Sequence, residues 1–158
     1  MNSHHTVAIG TWEGDKQQYI EYNSSIAVGI DCPRAKLRVS ILLDTIQEYQ
    51  VRYIFSDEEI SEAVNEAGLI IGARGIAYEG VLQRKPVIVV GEYGFGGLVT
   101  PDTLHEQYNN YFRGKINGIK AEYFSLERLE EEIRRGFALT FQELQMMSNQ
   151  TIRFLHNI

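Results

Sequence analysis

The middle of the chain alternates between two hydrophobic periods. VRYIFS (51–56) is a β-rich run, and the SDEEISEAVNEAG that continues it sets Ile60, Ala63, Val64 and Ala67 at helical spacing. Ser56 and Glu59 stand three residues apart, as in a capping box, and Gly68 is placed to end the helix. LIIGA (69–73) is short and continuously apolar, which suits a strand covered on both faces. GIAYEGVLQR follows with room for about three helical turns. PVIVVG (86–91) is a second buried strand, opened by Pro86 where a missing donor is tolerated. Strand, helix, strand, helix, strand implies right-handed crossovers and a parallel sheet.

The flanking segments extend this rhythm. SSIAVGI (24–30) reads as another strand, and Pro33 opens a helix carrying Leu37, Ile41 and Ile46. TVAIG (6–10) is a further candidate strand, while TWEGDKQQYIEYN between them fits a hairpin or a helix. Downstream, Thr100 before Pro101 predicts an N-cap and a helix over 101–111. A short strand is expected near 119–124. Ser125 caps a helix with Leu126, Leu129, Ile133 and Phe137 on one stripe, and a last helix carries Leu144, Met147, Ile152 and Leu155. The expected fold is α/β, a doubly wound, Rossmann-like parallel sheet flanked by helices, in a single domain over residues 1–158.

Composition narrows the function. The 158 residues carry a formal net charge of −6, with no Lys/Arg run longer than two, which argues against a broad nucleic-acid or anionic-membrane surface. The single Cys32 allows neither an internal disulfide nor a cysteine metal cluster, and fits a reducing compartment. The N-terminus lacks a signal-peptide pattern and no stretch of 18 apolar residues occurs, so no transmembrane segment and a cytoplasmic location are expected. No Asp-x-Asp pair or Gly-x-Ser-x-Gly turn is present, and no metal is expected. The run ERLEEEIRR reads as a solvated helix face.

Candidate chemistry gathers in GARGIAYEGVLQRKPVIVVGEYGFGG (72–97). Ligand crevices of doubly wound sheets lie at the carboxyl ends of the strands, where both of its glycine-rich stretches fall. Gly72, Ala73, Arg74, Gly75 and Ile76 lead into a helix whose first amides lack intrahelical acceptors, a ready phosphate site. The same small residues also serve simply to let a strand turn tightly into a helix. Glu79, one turn on, is either a partly solvated glutamate paired with the dipole, Arg74 or Arg84, or an acceptor for two neighbouring hydroxyls such as a ribose diol. Glu92, Tyr93, Gly94, Phe95, Gly96 and Gly97 read as a glycine loop, either mobile at the surface or closing over a ligand.

Taken whole, AGLIIGARGIAYEGVLQRKPVIVVGEYGFGGLVTP (67–101) resembles the nucleotide-sugar-binding, C-terminal half of GT-B fold glycosyltransferases. The resemblance covers about 35 residues well and the remainder only through its β/α rhythm. It implies that Glu79 binds the ribose of a nucleoside-diphosphate sugar, that Gly72 to Ile76 hold the diphosphate, and that Glu92 to Gly97 lie near the sugar. It also implies metal-independent transfer with no further cofactor, and a second Rossmann-like domain or subunit that carries the acceptor site. The sequence departs from the paired-glutamate form of the motif, having Ile71 eight residues before Glu79. Gln83-Arg84-Lys85 replaces the usual small residues before the proline, and the chain has room for one of the two domains. The general base and other catalytic residues are unassigned, since the family usually places the base in the other domain. The alternatives are a non-catalytic nucleotide- or protein-binding module of the same fold, or a relative of the sugar-nucleotide 2-epimerases.

Overall fold

The computed structural model describes residues 4–13, 16–115 and 118–156. Five strands form one sheet in the order β4-β3-β5-β6-β7: β3 (Ser25–Gly29), β4 (Gln50–Tyr53), β5 (Leu69–Gly72), β6 (Val87–Gly91) and β7 (Gly94–Leu98). The first four pair in parallel and β7 pairs antiparallel with β6. β1 (His4–Glu13) and β2 (Lys16–Asn23) pair as antiparallel strands in a separate sheet, so the hairpin alternative holds for the described residues of 11–23. The helices are α1 (Pro33–Ile46), α2 (Ile60–Glu66), α3 (Gly75–Leu82), α4 (Leu104–Asn109), α5 (Leu126–Phe137) and α6 (Phe141–His156). The fold is thus α/β, with a mostly parallel sheet flanked by helices.

Strand alternation divides the core into two layers. Ile26, Val28, Leu69, Ile71, Ile88 and Val90 face one side with Val39, Leu43, Leu129 and Ile133 of α1 and α5. Ala27, Ile70, Val87 and Val89 face the other with Val64, Ala77, Val81 and Met147 of α2, α3 and α6. Both faces of β5 and β6 are covered, which is why their sequences read as unbroken apolar runs.

Several expectations are corrected. The buried stripe of α1 is Ala35, Val39, Leu42 and Leu43; Leu37 and Ile41 point to solvent and Ile46 packs at the layer's margin. Ser56 makes no side-chain cap; a single 3-10 turn over Asp57–Glu59 precedes α2, and Glu59 reaches back to the amide of Phe55 instead. The extended backbone of Ala67, rather than Gly68, ends α2, and the Gly68 amide donates to Ser25. Thr100 and Thr103 bond each other's amides across a turn, so α4 starts only at Leu104. Near 119–124 the chain forms a turn rather than a strand.

Ser125 does cap α5, accepting from the Arg128 amide at 3.1 Å, but the charged run behind it is not wholly solvated. Glu132 is 2% exposed, held between Arg128 at 3.3 Å and Arg135 at 2.8 Å. In α6 the buried positions are Met147, Ser148 and Thr151, while Ile152 and Leu155 are exposed. Among the described residues no helix is long and apolar enough to cross a membrane.

Candidate functional site

The chain runs from β3 out to β4 and returns on the other side of β3 to form β5. The carboxyl ends of β3 and β5 therefore mark the topological switch point, where open α/β sheets bind ligands. Gly29 and Gly72 are paired in register there. A Cβ on Gly72 would collide with the Gly29 carbonyl and approach Ile76 Cγ2 to 2.6 Å. Close approach of two backbones thus requires glycine at 72, and no sequence motif revealed that Gly29 shares the position.

From this point the chain turns sharply into α3. Arg74 occupies a left-handed backbone conformation, φ 56° and ψ −124°, that non-glycine residues seldom adopt. Its amide donates to the Phe112 carbonyl at 2.9 Å, and the Ala73 amide to the Gly29 carbonyl at 3.4 Å. Two of the five expected phosphate donors are therefore engaged by the protein itself, and Gly72 lies inside the strand ladder. Gly75 and Ile76 remain as first-turn amides with no carbonyl behind them in the helix, at its positive end.

Glu79 lies one turn beyond Gly75 on the same face of α3. The Cβ direction of Gly75 points at Ile60 Cδ1, 3.8 Å away, so this face looks toward the start of α2. Glu79 is half-buried, and its Oε1 accepts from Gln83 Nε2 at 2.8 Å. Gln83 Nε2 also lies 3.3 Å from the Ser61 carbonyl in α2. Among the described residues Oε2 of Glu79 accepts no hydrogen bond. Glu79 pairs with neither Arg74 nor Arg84, the arginine partners considered from sequence.

The expected glycine loop is largely a strand. Glu92 and Tyr93 form the two-residue turn of the β6–β7 hairpin, and Gly94, Phe95, Gly96 and Gly97 belong to β7. Phe95 is buried against Phe124, ring centroids 4.7 Å apart, so it fills the core instead of standing over the crevice. A bulge between Val89 and Val90, with Gly97 at φ 79°, lets β7 keep its pairing.

Residues 110–115 and 118–119 strap the hairpin from the side. Tyr93 donates to the Arg113 carbonyl at 2.9 Å and Phe95 to the Ile119 carbonyl at 2.8 Å. This brings Arg113 to the site. Glu92 Oε1 lies 2.6 Å from Arg74 Nη2 and 3.2 Å from Arg113 Nε. The hydrogen bond from Arg74, reinforced by the charges of both arginines, holds the Glu92 carboxyl below the usual carboxylate range and raises the Arg74 pKa. Asp31, after β3, adds a second negative charge that acts on Arg74. Sequence reading overlooked Asp31 and Arg113. Asp31 follows the strand end before Pro33, a legible position, whereas Arg113 reaches the site through a long-range contact with no local signature.

A groove of about 1080 Å³ lies elsewhere, beside β4, lined by residues such as Ser24, Gln50, Tyr53 and Ala67. It opens at the sheet's edge and amino ends, away from the switch point, and holds none of the residues expected from sequence. Among the described residues no cluster of His, Cys, Asp and Glu is arranged to hold a metal ion. Comparison with family models, with curated proteins and with solved structures finds no match to this chain.

Proposed function

We propose that the chain is the donor-binding half of a metal-independent glycosyltransferase, holding a nucleoside-diphosphate sugar at the carboxyl ends of β3 and β5. The observation that carries the reading is the shared face of α3. Gly75, at the open N-terminus, and Glu79, with one unengaged carboxylate oxygen, stand one turn apart. Diphosphate oxygens accept from the first-turn amides with help from the dipole and Arg74, and the ribose hydroxyls donate to Glu79. Donors fixed in this way stabilise the charge that develops on the departing diphosphate without a metal.

The acceptor and the general base then come from a second Rossmann-like domain or subunit. Phe55, Tyr93, Tyr111 and Ile119, between 40% and 77% exposed, stand on the loops and the strap at this same end of the sheet. Apolar side chains around a charged cluster suit a surface that another domain closes.

The test is calorimetric titration with UDP, GDP, ADP and their sugars, for the wild type and Glu79→Ala. Selective binding of one nucleotide is expected. Loss of charge-assisted hydrogen bonds at Glu79 should weaken it by roughly 1.5–3 kcal/mol, an order of magnitude or more. Binding of no nucleotide by the folded wild type would overturn the reading in favour of a non-catalytic, protein-binding module.

A further inference from the structure

Arg113 is the least expected residue at the site. Its guanidinium carbon lies 5.7 Å from the Tyr93 ring centroid and 5.3 Å from that of Tyr111, and its Nη1 donates to the Tyr93 hydroxyl at 3.1 Å. Its backbone is fixed on both sides, the Phe112 carbonyl accepting from Arg74 and its own from Tyr93. The side chain is thus held by two aromatic rings and a hydroxyl. Yet its Nε is buried and forms no hydrogen bond, because Glu92 Oε1, though 3.2 Å away, lies outside hydrogen-bonding geometry. A preorganised guanidinium with an unsatisfied buried donor points to an acceptor better shaped than this carboxylate.

Glu92 differs in every respect. It sits on a two-residue turn, is about half exposed, and spends one oxygen on both arginines. An exposed ion pair of this kind contributes little to stability and exchanges readily for another anion. Phosphate offers several oxygens and a fuller charge, and guanidinium groups bind it in bidentate fashion.

We propose that Arg74 and Arg113 form a two-arginine receptor for the phosphate groups of the ligand, and that Glu92 occupies it in the free protein as an internal anion the ligand displaces. The inference deepens the donor-site reading by adding Arg113 to the diphosphate contacts and a latch at the hairpin turn. It rests on that reading only for the identity of the phosphate's carrier. Binding then frees the Glu92–Tyr93 turn, so occupancy of the arginine pair is communicated to the apolar rim.

The experiment titrates inorganic pyrophosphate into the wild type, Glu92→Gln, Glu92→Gln/Arg113→Gln and, as a control for net charge, Glu62→Gln. Calorimetry gives affinities, and the Nε–H signals of Arg74 and Arg113 are followed by ¹⁵N NMR. Glu92→Gln should bind about twofold to fivefold tighter than the wild type, as expected when a competing surface ion pair is removed. The gain should vanish with Arg113→Gln, and the Arg113 Nε–H signal should shift on binding. Equal affinity for Glu92→Gln and the wild type, an equal gain in Glu62→Gln, or a gain that survives Arg113→Gln would each overturn the latch. Nucleotide binding that depends on Glu79 without this pyrophosphate pattern would sink the latch alone. The pyrophosphate pattern without nucleotide binding would sink the donor-site reading alone.

Discussion

Alanine at Gly72 and at Gly75 should have opposite consequences, although both glycines flank Arg74 and both looked like one phosphate-binding turn. At Gly72 the new Cβ runs into the Gly29 carbonyl and comes within 2.6 Å of Ile76 Cγ2. The carbonyl cannot withdraw, because β3 and β5 are paired through this position and β3 is held between β4 and β5 in the sheet. Overpacking of this kind costs about 1–3 kcal/mol, and with backbone as the obstacle the upper half of that range is expected. At Gly75 the nearest atom is Ile60 Cδ1 at 3.8 Å, an ordinary contact, and alanine should be neutral or gain up to about 1 kcal/mol of helix propensity. Urea unfolding with an m value of about 2 kcal/mol/M turns a 2 kcal/mol loss into a midpoint shift of about 1 M. The same loss lowers Tm by roughly 4–8 °C in a chain of this length. If Gly72→Ala unfolds within about 0.5 kcal/mol of Gly75→Ala, the close packing of β3 against β5 is wrong, and with it the placement of the switch point.

One further substitution and one titration test the surroundings of the site. Phe95→Ala removes a ring that is 5% exposed and stacked on Phe124, and should cost about 3–5 kcal/mol in chemical unfolding; a change under about 1 kcal/mol would return residues 94–97 to a loop. The Glu92 carboxyl, lowered by its hydrogen bond to Arg74 and by the charges of Arg74 and Arg113, favours the folded state above the ordinary carboxylate range. That contribution is lost as pH falls through the lowered pKa. Carboxyl-carbon NMR should find Glu92 titrating below an ordinary glutamate, and a midpoint at or above the ordinary value would refute the pairing with Arg74 and Arg113.

The legible parts of the fold are those whose environment is uniform. β5 and β6 are buried on both faces, so unbroken apolar runs announce them, and Ser125 caps α5 through a bond between neighbours in sequence. Misreadings arise where long-range packing decides. Leu37 and Ile41 fit a helical stripe as well as Val39 and Leu43 do, and only the position of the sheet selects between the two faces. GFGGL looked like a loop because glycine weakens strands in general. Here Gly97 accommodates a bulge, and at Gly96 a Cβ would crowd Val89 and Gln107. Glu132 looked solvated because neither its burial nor its arginine partners' half exposure can be read from a charged run. At the site, sequence located α3, Arg74 and Glu79 through local order, but the Phe112 carbonyl that occupies the Arg74 amide comes from a remote segment.

The electrostatics around Arg74 and Arg113 follow from the same distinction between local and distant order. A chain of net charge −6 repels anions at long range, but at physiological salt that field fades within about 8 Å, so nearby groups decide what binds. Nearby, the charges of Arg74 and Arg113 are offset by Glu92 and Asp31. The free protein is therefore not a standing trap for phosphate, as two unopposed arginines beside a helix N-terminus would be. On the proposed latch, every phosphate-bearing ligand meets the same cost of displacing Glu92. That common cost lowers all their affinities together and leaves discrimination among them to groups beyond the phosphates, such as Glu79 one turn along α3.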